Sequence, residues 1–299
     1  MPKWNKAIKN STEISWIKKT MAKDGAALAH TFFWLEKTLE DRSVTEYELS
    51  QQIIRNRSKQ EGYLGESFNA IVGYQGNGAI IHYRPDPDNS ASIQKEGMLL
   101  VDSGGQYLDG TTDITRTLAL SSPSDQEKKH FTLVLRGNIA LSRAIYPQGT
   151  RGGQLDVIAR QFLWEEKLNF QHGTGHGVGF CLNVHEPPQG FAAIQTERGK
   201  TILKPGMLTS NEPGYYLPIA YGIRIENLVI TRDVGDGYLG FDTVTLYPID
   251  LKLIEESIID KSEKAWLNRY HDRVYREVSP YIDDPDVKSW FKIKCRPLN

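Results

Sequence analysis

The stretch Leu99–Arg116, LLVDSGGQYLDGTTDITR, decides the fold because it joins two apolar segments through a glycine-rich connection. Asp102 ends the first apolar segment, and Asp113 lies inside the second. Aspartate is disfavoured in strand interiors, and a buried carboxylate without a cation or a proton is costly. A single aspartate of this kind is best interpreted as a turn residue. Two of them in this arrangement predict a pair of strands that carries a functional site.

The position of the turn decides whether these two aspartates can act together. With Asp109–Gly110 as a two-residue turn, Asp102 and Asp113 would lie about 13 Å apart along the strands, too far to share a metal ion. A loop centred near Tyr107–Leu108 instead leaves Asp102 roughly opposite Asp113. If the aspartates act together, we expect this second arrangement.

The rest of the chain alternates between helical and extended periodicity. Apolar residues three or four positions apart predict one long helix in the first forty residues, with Asn10 and Glu13 as its capping box, and Thr45 with Glu48 begins a second. Later helices are predicted from Ser122–Pro123 to about Tyr146–Pro147, at about 154–168, and at about 262–274. Strands are predicted at Phe68–Val72, Ala79–Ile81, Met98–Val101 and Ile114–Leu120, and again within 171–247. The order of two helices followed by strands occurs twice along the chain. This repeat predicts one α+β domain with pseudo-symmetric halves, not a doubly wound α/β sheet.

Composition excludes several classes of protein. The 36 Lys and Arg residues balance 37 Asp and Glu residues, so the chain lacks the basic excess of a nucleic-acid-binding protein. Its longest apolar runs fall far short of the ~20 residues that span a bilayer, and no secretory signal follows Met1. Two cysteines make no disulfide scaffold. We expect a cytoplasmic protein that binds neither nucleic acid nor membrane.

Two further clusters of polar residues are candidates for parts of the same functional site. His172, His176 and His185 lie within fourteen positions, in a segment whose alternating glycines make a helix improbable. The helical zinc motif H-E-x-x-H is therefore excluded. Glu212 precedes a proline, and Arg224 and Glu226 share one face of a predicted strand.

Together these residues favour metal-dependent hydrolysis. An oxygen-rich set with one imidazole suits Mn²⁺, Co²⁺ or Zn²⁺. Four carboxylates carry four negative charges, which two divalent ions would cancel, and a metal pair can ionise a water and polarise the carbonyl that it attacks. A serine nucleophile is disfavoured because no G-x-S-x-G motif occurs, and Cys181 and Cys295 lie in unsuitable contexts.

The same residues resemble the pita-bread metallopeptidases, and within them the Xaa-Pro aminopeptidases of the larger, three-domain subgroup. The resemblance rests on segments spread in order along the chain, namely Ala79–Tyr83, Val101–Gly104, Thr112–Arg116, His172–Gly179, Asn183–Glu186, Ser210–Tyr215 and Gly222–Asn227. It implies a two-metal aminopeptidase that hydrolyses the N-terminal Xaa-Pro bond through a metal-bridging hydroxide, with Mn²⁺ as the usual metal and peptides with proline in second position as substrates.

The resemblance also implies a role for each site residue. The metal ligands would be Asp102, Asp113, His176, Glu212 and Glu226. Glu212 would also handle the proton of the attacking hydroxide, and Arg224 would orient a metal-bound carboxylate. Catalytic and substrate-binding roles would fall to His82 above the metals, His172 near the tetrahedral oxyanion and His185 near the scissile carbonyl, with His176 and Glu212 also contacting substrate.

We expect residues 1–299 to form a single catalytic domain, with a core at about 10–250 and a C-terminal helical extension at about 251–299. Members of the subgroup carry two further domains before the catalytic one, whereas here the long helix begins within ten residues of Met1, so we expect those domains to be absent. A homodimer is one oligomeric state that the resemblance allows. Two alternatives stay open: a prolidase restricted to Xaa-Pro dipeptides, and a peptidase-like binding module with weak catalysis.

Overall fold

The computed structural model describes residues 2–299, which form eight α-helices and fourteen strands within that range. The helices are α1 (Pro2–Ala7), α2 (Ser11–Asp41), α3 (Glu46–Arg57), α4 (Asp125–Ser142), α5 (Gly152–Glu165), α6 (Glu197–Lys200), α7 (Lys261–Val278) and α8 (Pro285–Lys294). The strands are β1 (Val44–Thr45), β2 (Tyr63–Glu66), β3 (Ile71–Tyr74), β4 (Ser92–Ile93), β5 (Met98–Ser103), β6 (Gly105–Tyr107), β7 (Gly110–Thr111), β8 (Ile114–Ala119), β9 (Tyr146–Pro147), β10 (Leu208–Asn211), β11 (Gly214–Leu217), β12 (Tyr221–Arg224), β13 (Asn227–Gly235) and β14 (Tyr238–Thr243). No helix among these residues is both long and apolar enough to cross a bilayer.

The predicted order of two helices followed by strands occurs twice. In the first pass α2 and α3 precede the sheet β3-β5-β8, and in the second α4 and α5 precede the sheet β10-β13-β14-β9. All strand pairs are antiparallel. The long helix α2 packs its apolar side into the main hydrophobic core, to which it contributes Ile17, Leu28 and Phe32. Its predicted capping box is formed, with the Asn10 side chain accepting from the Glu13 backbone and the Glu13 carboxylate accepting from Asn10. The α+β prediction is therefore confirmed at the level of element order.

The hairpin predicted within Leu99–Arg116 forms, but its strand register differs from the two registers considered above. Gln106 pairs with Thr111, and Asp102 pairs with Thr115, so the turn lies at Leu108–Asp109. The loop is thus centred one residue beyond the expected Tyr107–Leu108. Asp113 lies two positions before Thr115 and hence on the same face as Asp102, as its diagonal neighbour. The two aspartates share a face, as the functional interpretation requires, without being directly opposite.

The strand predicted at Ala79–Ile81 is wrong. Residues Gln75–Ala79 form a 3₁₀ helix that turns back on β3. Glycine permits this close return, because a Cβ built on Gly73 would lie 2.6 Å from the Gly78 Cα. The carboxylate of Glu46 accepts hydrogen bonds from the Tyr74 backbone N–H and the Asn77 amide, which stabilises the turn.

Several helix ends also differ from their predictions. The helix α4 begins after Ser124, whose hydroxyl and Glu127 form a capping box, and not at Ser122–Pro123. It ends at Ser142, because Tyr146–Pro147 pairs with β14 as a short strand. The terminal helix extends to Val278, and α8 was not predicted.

The C-terminal region contacts the hairpin through one buried arginine. The Arg116 guanidinium donates to the carbonyls of Pro248 and Tyr247, to the Tyr270 hydroxyl and to the Glu226 carbonyl. The segment after β14 and the helix α7 therefore pack directly behind the strand that follows Asp113. The proposed boundaries of core and extension stay a prediction.

Candidate metal centre

Four carboxylates and one histidine converge on a single cavity of about 400 Å³. Asp102 lies on β5 and Asp113 just before β8, while Glu212 follows β10 and Glu226 follows β12. His176 comes from the glycine-rich loop between α5 and α6, which is not helical. The cavity therefore draws side chains from both halves of the pseudo-symmetric domain.

Glycine lets the His176 loop approach the second sheet. A Cβ built on Gly175 would lie 1.8 Å from the Ser210 carbonyl oxygen of β10, closer than any side chain permits. The His176 backbone N–H donates to the Ser210 hydroxyl, which in turn donates to Glu212 Oε1. The alternating glycines thus serve close backbone packing, which the sequence indicated without specifying the partner strand.

His176 is placed as a metal ligand would be. Its Nδ1 lies 3.0 Å from the Gly177 carbonyl, which can only accept, so in the neutral imidazole Nδ1 carries the proton and Nε2 has the lone pair. Nε2 lies 3.4 Å from Asp113 Oδ2 and 3.4 Å from Glu212 Oε1. Ligand atoms of Asp113, His176 and Glu226 all lie within 4.8 Å of one another.

Arg224 orients two of the carboxylates through hydrogen bonds. Its Nη2 donates to Asp102 Oδ2 at 2.6 Å, and its Nε donates to the Thr115 hydroxyl at 3.2 Å. That hydroxyl donates to Glu226 Oε2 at 2.8 Å, so one guanidinium orients a carboxylate directly and another through Thr115. Arg224 and Glu226 are both buried, so a solvated strand face is excluded for them.

Tyr216 is a site residue that the sequence reasoning missed. Its hydroxyl accepts from Arg224 Nη1 at 2.8 Å and lies 2.8 Å from His172 Nε2. Because the arginine can only donate, the tyrosine proton points to His172 Nε2, and His172 Nδ1 donates to the Gly173 carbonyl. A tyrosine in the strand segment Gly214–Leu217 gives no signal of this contact.

The three other histidines occupy different places. His82 and His185 line the cavity, and the His185 ring lies 4.0 Å from the His176 ring. His172 instead lies against Tyr216, outside the set of side chains that lines the cavity. The structure thus brings together eight of the nine predicted residues around one cavity and connects the ninth to it through Tyr216.

Burial and the closeness of several carboxylates raise the pKa values of three of the acidic side chains in the site. Burial raises the pKa of Asp113 to about 6 and that of Glu212 to about 7, and it raises the pKa of Glu226 well above its ordinary value. Burial alone would lower the pKa of His176, but the interactions with Asp113 and Glu212 outweigh it and raise the pKa, so a metal bound at Nε2 would replace a proton there. Without a cation, these carboxyls compete for protons.

His172 and His185 are neutral near pH 7. Burial, together with the positive charge of Arg224, lowers the pKa of His172 to about 4. Burial and the neighbouring His176 lower the pKa of His185 to about 4.

The residues fit a pair of divalent ions. Four acidic side chains share the cavity with the buried Arg224 and the exposed Arg84, which leaves an excess of two negative charges when all are ionised. Asp102 Oδ1 is buried and accepts no hydrogen bond from any residue in 2–299. An orphaned carboxylate oxygen beside three more carboxylates and an imidazole lone pair is the donor set that hard or borderline divalent metals bind.

Comparison with known proteins agrees with this geometry. The model of metallopeptidase family M24 matches residues 15–233, and that of the C-terminal region of peptidase M24 matches residues 237–298. Aminopeptidase P2 of Arabidopsis thaliana is 45% identical over 304 residues, covering 99% of this chain and 42% of that protein. Probable Xaa-Pro aminopeptidase P of Laccaria bicolor is 46% identical over 302 residues, covering 98% of this chain and 47% of that protein. This chain therefore spans about half the length of these relatives.

Solved structures show the same fold. An X-prolyl aminopeptidase from Caenorhabditis elegans, described as a cytosolic enzyme with a di-nuclear active site, superposes with a TM-score of 0.94 at 38% identity, covering 99% of this chain and 49% of that one. A prolidase from Pyrococcus furiosus superposes with a TM-score of 0.69 at 27% identity, covering 82% of this chain and 66% of that one. The predicted pita-bread fold is confirmed by these likenesses. Since the family model spans most of the chain, the chain belongs to metallopeptidase family M24.

Proposed function

We propose that this chain is the catalytic part of an Xaa-Pro aminopeptidase, which hydrolyses the bond between an N-terminal residue and a following proline. The observation that carries the proposal is the convergence of Asp102, Asp113, His176, Glu212 and Glu226 on one cavity. The chain that carries them resembles aminopeptidase P proteins over 98–99% of its length. A binding module that has lost catalysis is disfavoured because all five ligand-type side chains are present.

Those five side chains would hold two divalent ions, which we propose to be Mn²⁺, with Zn²⁺ or Co²⁺ as alternatives. When bound, such a pair supplies an ionised water and polarises the carbonyl under attack. The ligand roles agree with the position of His176 Nε2, which faces Asp113 and Glu212, and with the orphaned oxygen of Asp102.

The remaining groups would handle protons and position the substrate. Glu212 would accept a proton on the carboxylate oxygen that Ser210 does not engage, and return it to the leaving amine. His185, neutral and next to His176, would donate a hydrogen bond to the scissile carbonyl oxygen. His82 at the exposed rim would contact the substrate, and His172 would act through Tyr216.

Location and assembly are further parts of the proposal. A cytosolic location is supported by the description of the C. elegans neighbour and by the unpaired thiols of Cys181 and Cys295. A homodimer is proposed from the family resemblance alone, and light scattering of the purified chain tests it.

The activity is tested with an Arg-Pro-Pro peptide and the chain loaded with Mn²⁺. We expect release of free arginine, and a loss of turnover in Glu212→Gln, while Asp125→Asn, an exposed carboxylate on α4, behaves as the parent chain. A folded, metal-loaded sample that cleaves nothing would contradict the proposal. An Arg-Pro dipeptide cleaved in preference to the longer peptide would support a prolidase instead.

A further inference from the structure

A buried lysine outside the metal centre contacts the loop that carries two of its histidines. The Lys9 side chain is fully buried, and its Nζ donates to Glu186 Oε1 at 3.1 Å, to the Val178 carbonyl at 2.7 Å and to the Lys6 carbonyl at 2.9 Å. The Glu186 side chain is 3% exposed. All three ammonium protons are therefore used, and the ion pair is shielded from water.

The two far partners of Lys9 each closely follow one of the site histidines along the chain. Val178 follows His176 by two positions, and Glu186 directly follows His185. The Glu186 backbone N–H donates to the Gly177 carbonyl at 2.7 Å, so the loop segments that carry His176 and His185 lie side by side. The ammonium of Lys9 contacts both segments, and the centroids of the His176 and His185 rings are 4.0 Å apart.

Lys9 is itself held by the second sheet. Its backbone N–H donates to the Gly206 carbonyl at 2.8 Å, and Ile8 forms a bridge with Met207 immediately before β10. The strand β10 then leads to Glu212. Lys9 also precedes residues 15–233, the part of the chain matched by the family model. A segment ahead of that region thus contacts the site from behind.

We propose that Lys9 is a positioning residue which, through Glu186, holds His185 at the edge of the metal cavity. The carboxylate of Glu186 has one strong cationic partner, since its Oε2 accepts no hydrogen bond from residues 2–299 and the half-exposed Lys6 Nζ is 3.7 Å away. Without Lys9, a buried carboxylate would be left without adequate compensation, and such groups move toward water. Movement of Glu186 moves His185, because the two residues are adjacent. The catalytic consequence rests on the proposed function.

The test uses Lys9→Met, which keeps the length of the side chain and removes its charge. With Mn²⁺ and the Arg-Pro-Pro peptide, we expect kcat to fall on the order of 10- to 100-fold, the range typical of residues that orient active-site groups. KM should change by less than about threefold, and bound metal should be unchanged, because no proposed ligand is altered. Lys6→Met is the matched control and should retain the parent kcat.

A second variant separates positioning from folding. Lys9→Met with Glu186→Gln removes both charges, so we expect it to fold even where the single variant does not. Its kcat should still be lowered, because the ammonium that links the Val178 carbonyl to the side chain of residue 186 is absent. A double variant with the parent kcat would overturn the proposal, as would a folded Lys9→Met with the parent kcat, because the pair would then serve stability alone.

A measurement that does not depend on turnover distinguishes failure of the positioning role of Lys9 from failure of the proposed function. In the metal-free protein, Lys9→Met should shift the ring nitrogen NMR signals of His185 and His176, whereas His271, held by the Arg296 carbonyl in the C-terminal region, should be unchanged. If the parent chain cleaves no Xaa-Pro peptide but these shifts occur, the proposed function fails and the positioning role stands. Unchanged signals for His185 would overturn the positioning role.

Discussion

Divalent metal should stabilise this protein far more at about pH 8 than at about pH 5.5. The pKa of Asp113 is raised to about 6 and that of Glu212 to about 7, in both cases chiefly by burial. A carboxyl whose pKa is higher in the folded than in the unfolded protein takes up a proton on folding. Its contribution to stability is therefore present below an unfolded pKa near 4.5 and is lost as the pH rises through the folded pKa.

The size of the effect follows from the protons that metal must displace. At pH 5.5, Glu212 lies about 1.5 units below its pKa and Asp113 about 0.5 units below, so metal binding is weaker by on the order of 100-fold than at pH 8. A metal concentration of 100 times the dissociation constant stabilises by about 2.7 kcal/mol, and most of this is lost when the affinity falls 100-fold. For a chain of this size, that is a difference of roughly 5 °C or more in Tm.

The assay is thermal unfolding of chelator-treated protein with and without Mn²⁺ at the two pH values. Calorimetric titration on the same samples should show protons released on binding at the lower pH. Asp125→Asn is the matched control, because its carboxylate is 99% exposed and should leave the metal-induced shift unchanged. Equal shifts in Tm at both pH values would refute the reasoning.

Two substitutions test the parts of the site that only packing creates. Tyr216→Phe removes the hydroxyl between Arg224 and His172, and we expect kcat/KM to fall by about 10- to 100-fold with bound metal retained; an unchanged rate would exclude a role for this contact. Gly175→Ala forces a methyl group against the Ser210 carbonyl, and we expect a loss of about 1–3 kcal/mol of unfolding free energy, measured by denaturant titration. Metal affinity should fall as well, because the same loop carries the proposed ligand His176, and an unaffected affinity would show that the loop relaxes without moving His176.

The regular elements were predictable where one physical signal dominates. The apolar periodicity and the Asn10–Glu13 box placed the start of α2 correctly, because the hydrogen bonds of a helix and its cap are local. The hairpin was foreseen but its register was not, since the observed turn at Leu108–Asp109 lies between the two turn positions that the residues suggested. The strand expected at Ala79–Ile81 failed because glycines allowed the chain to fold back on β3 instead.

The sequence by itself determined which side chains we propose to carry the chemistry. Asp102 and Asp113 stand out because a carboxylate in an apolar segment is costly unless something charged meets it. Glu212 stands out because it precedes a proline, and Glu226 because it shares a strand face with Arg224. Their residue types therefore indicated metal before any coordinates did.

Only the tertiary structure decided how those side chains are held. The contact between Arg224 and Asp102 spans 122 positions of the chain, and that between Lys9 and Glu186 spans 177. Such contacts leave no periodic or local pattern in the sequence, because neither residue influences the local backbone conformation around its distant partner. They depend on which strands are adjacent, and adjacency is settled by burying the whole core at once.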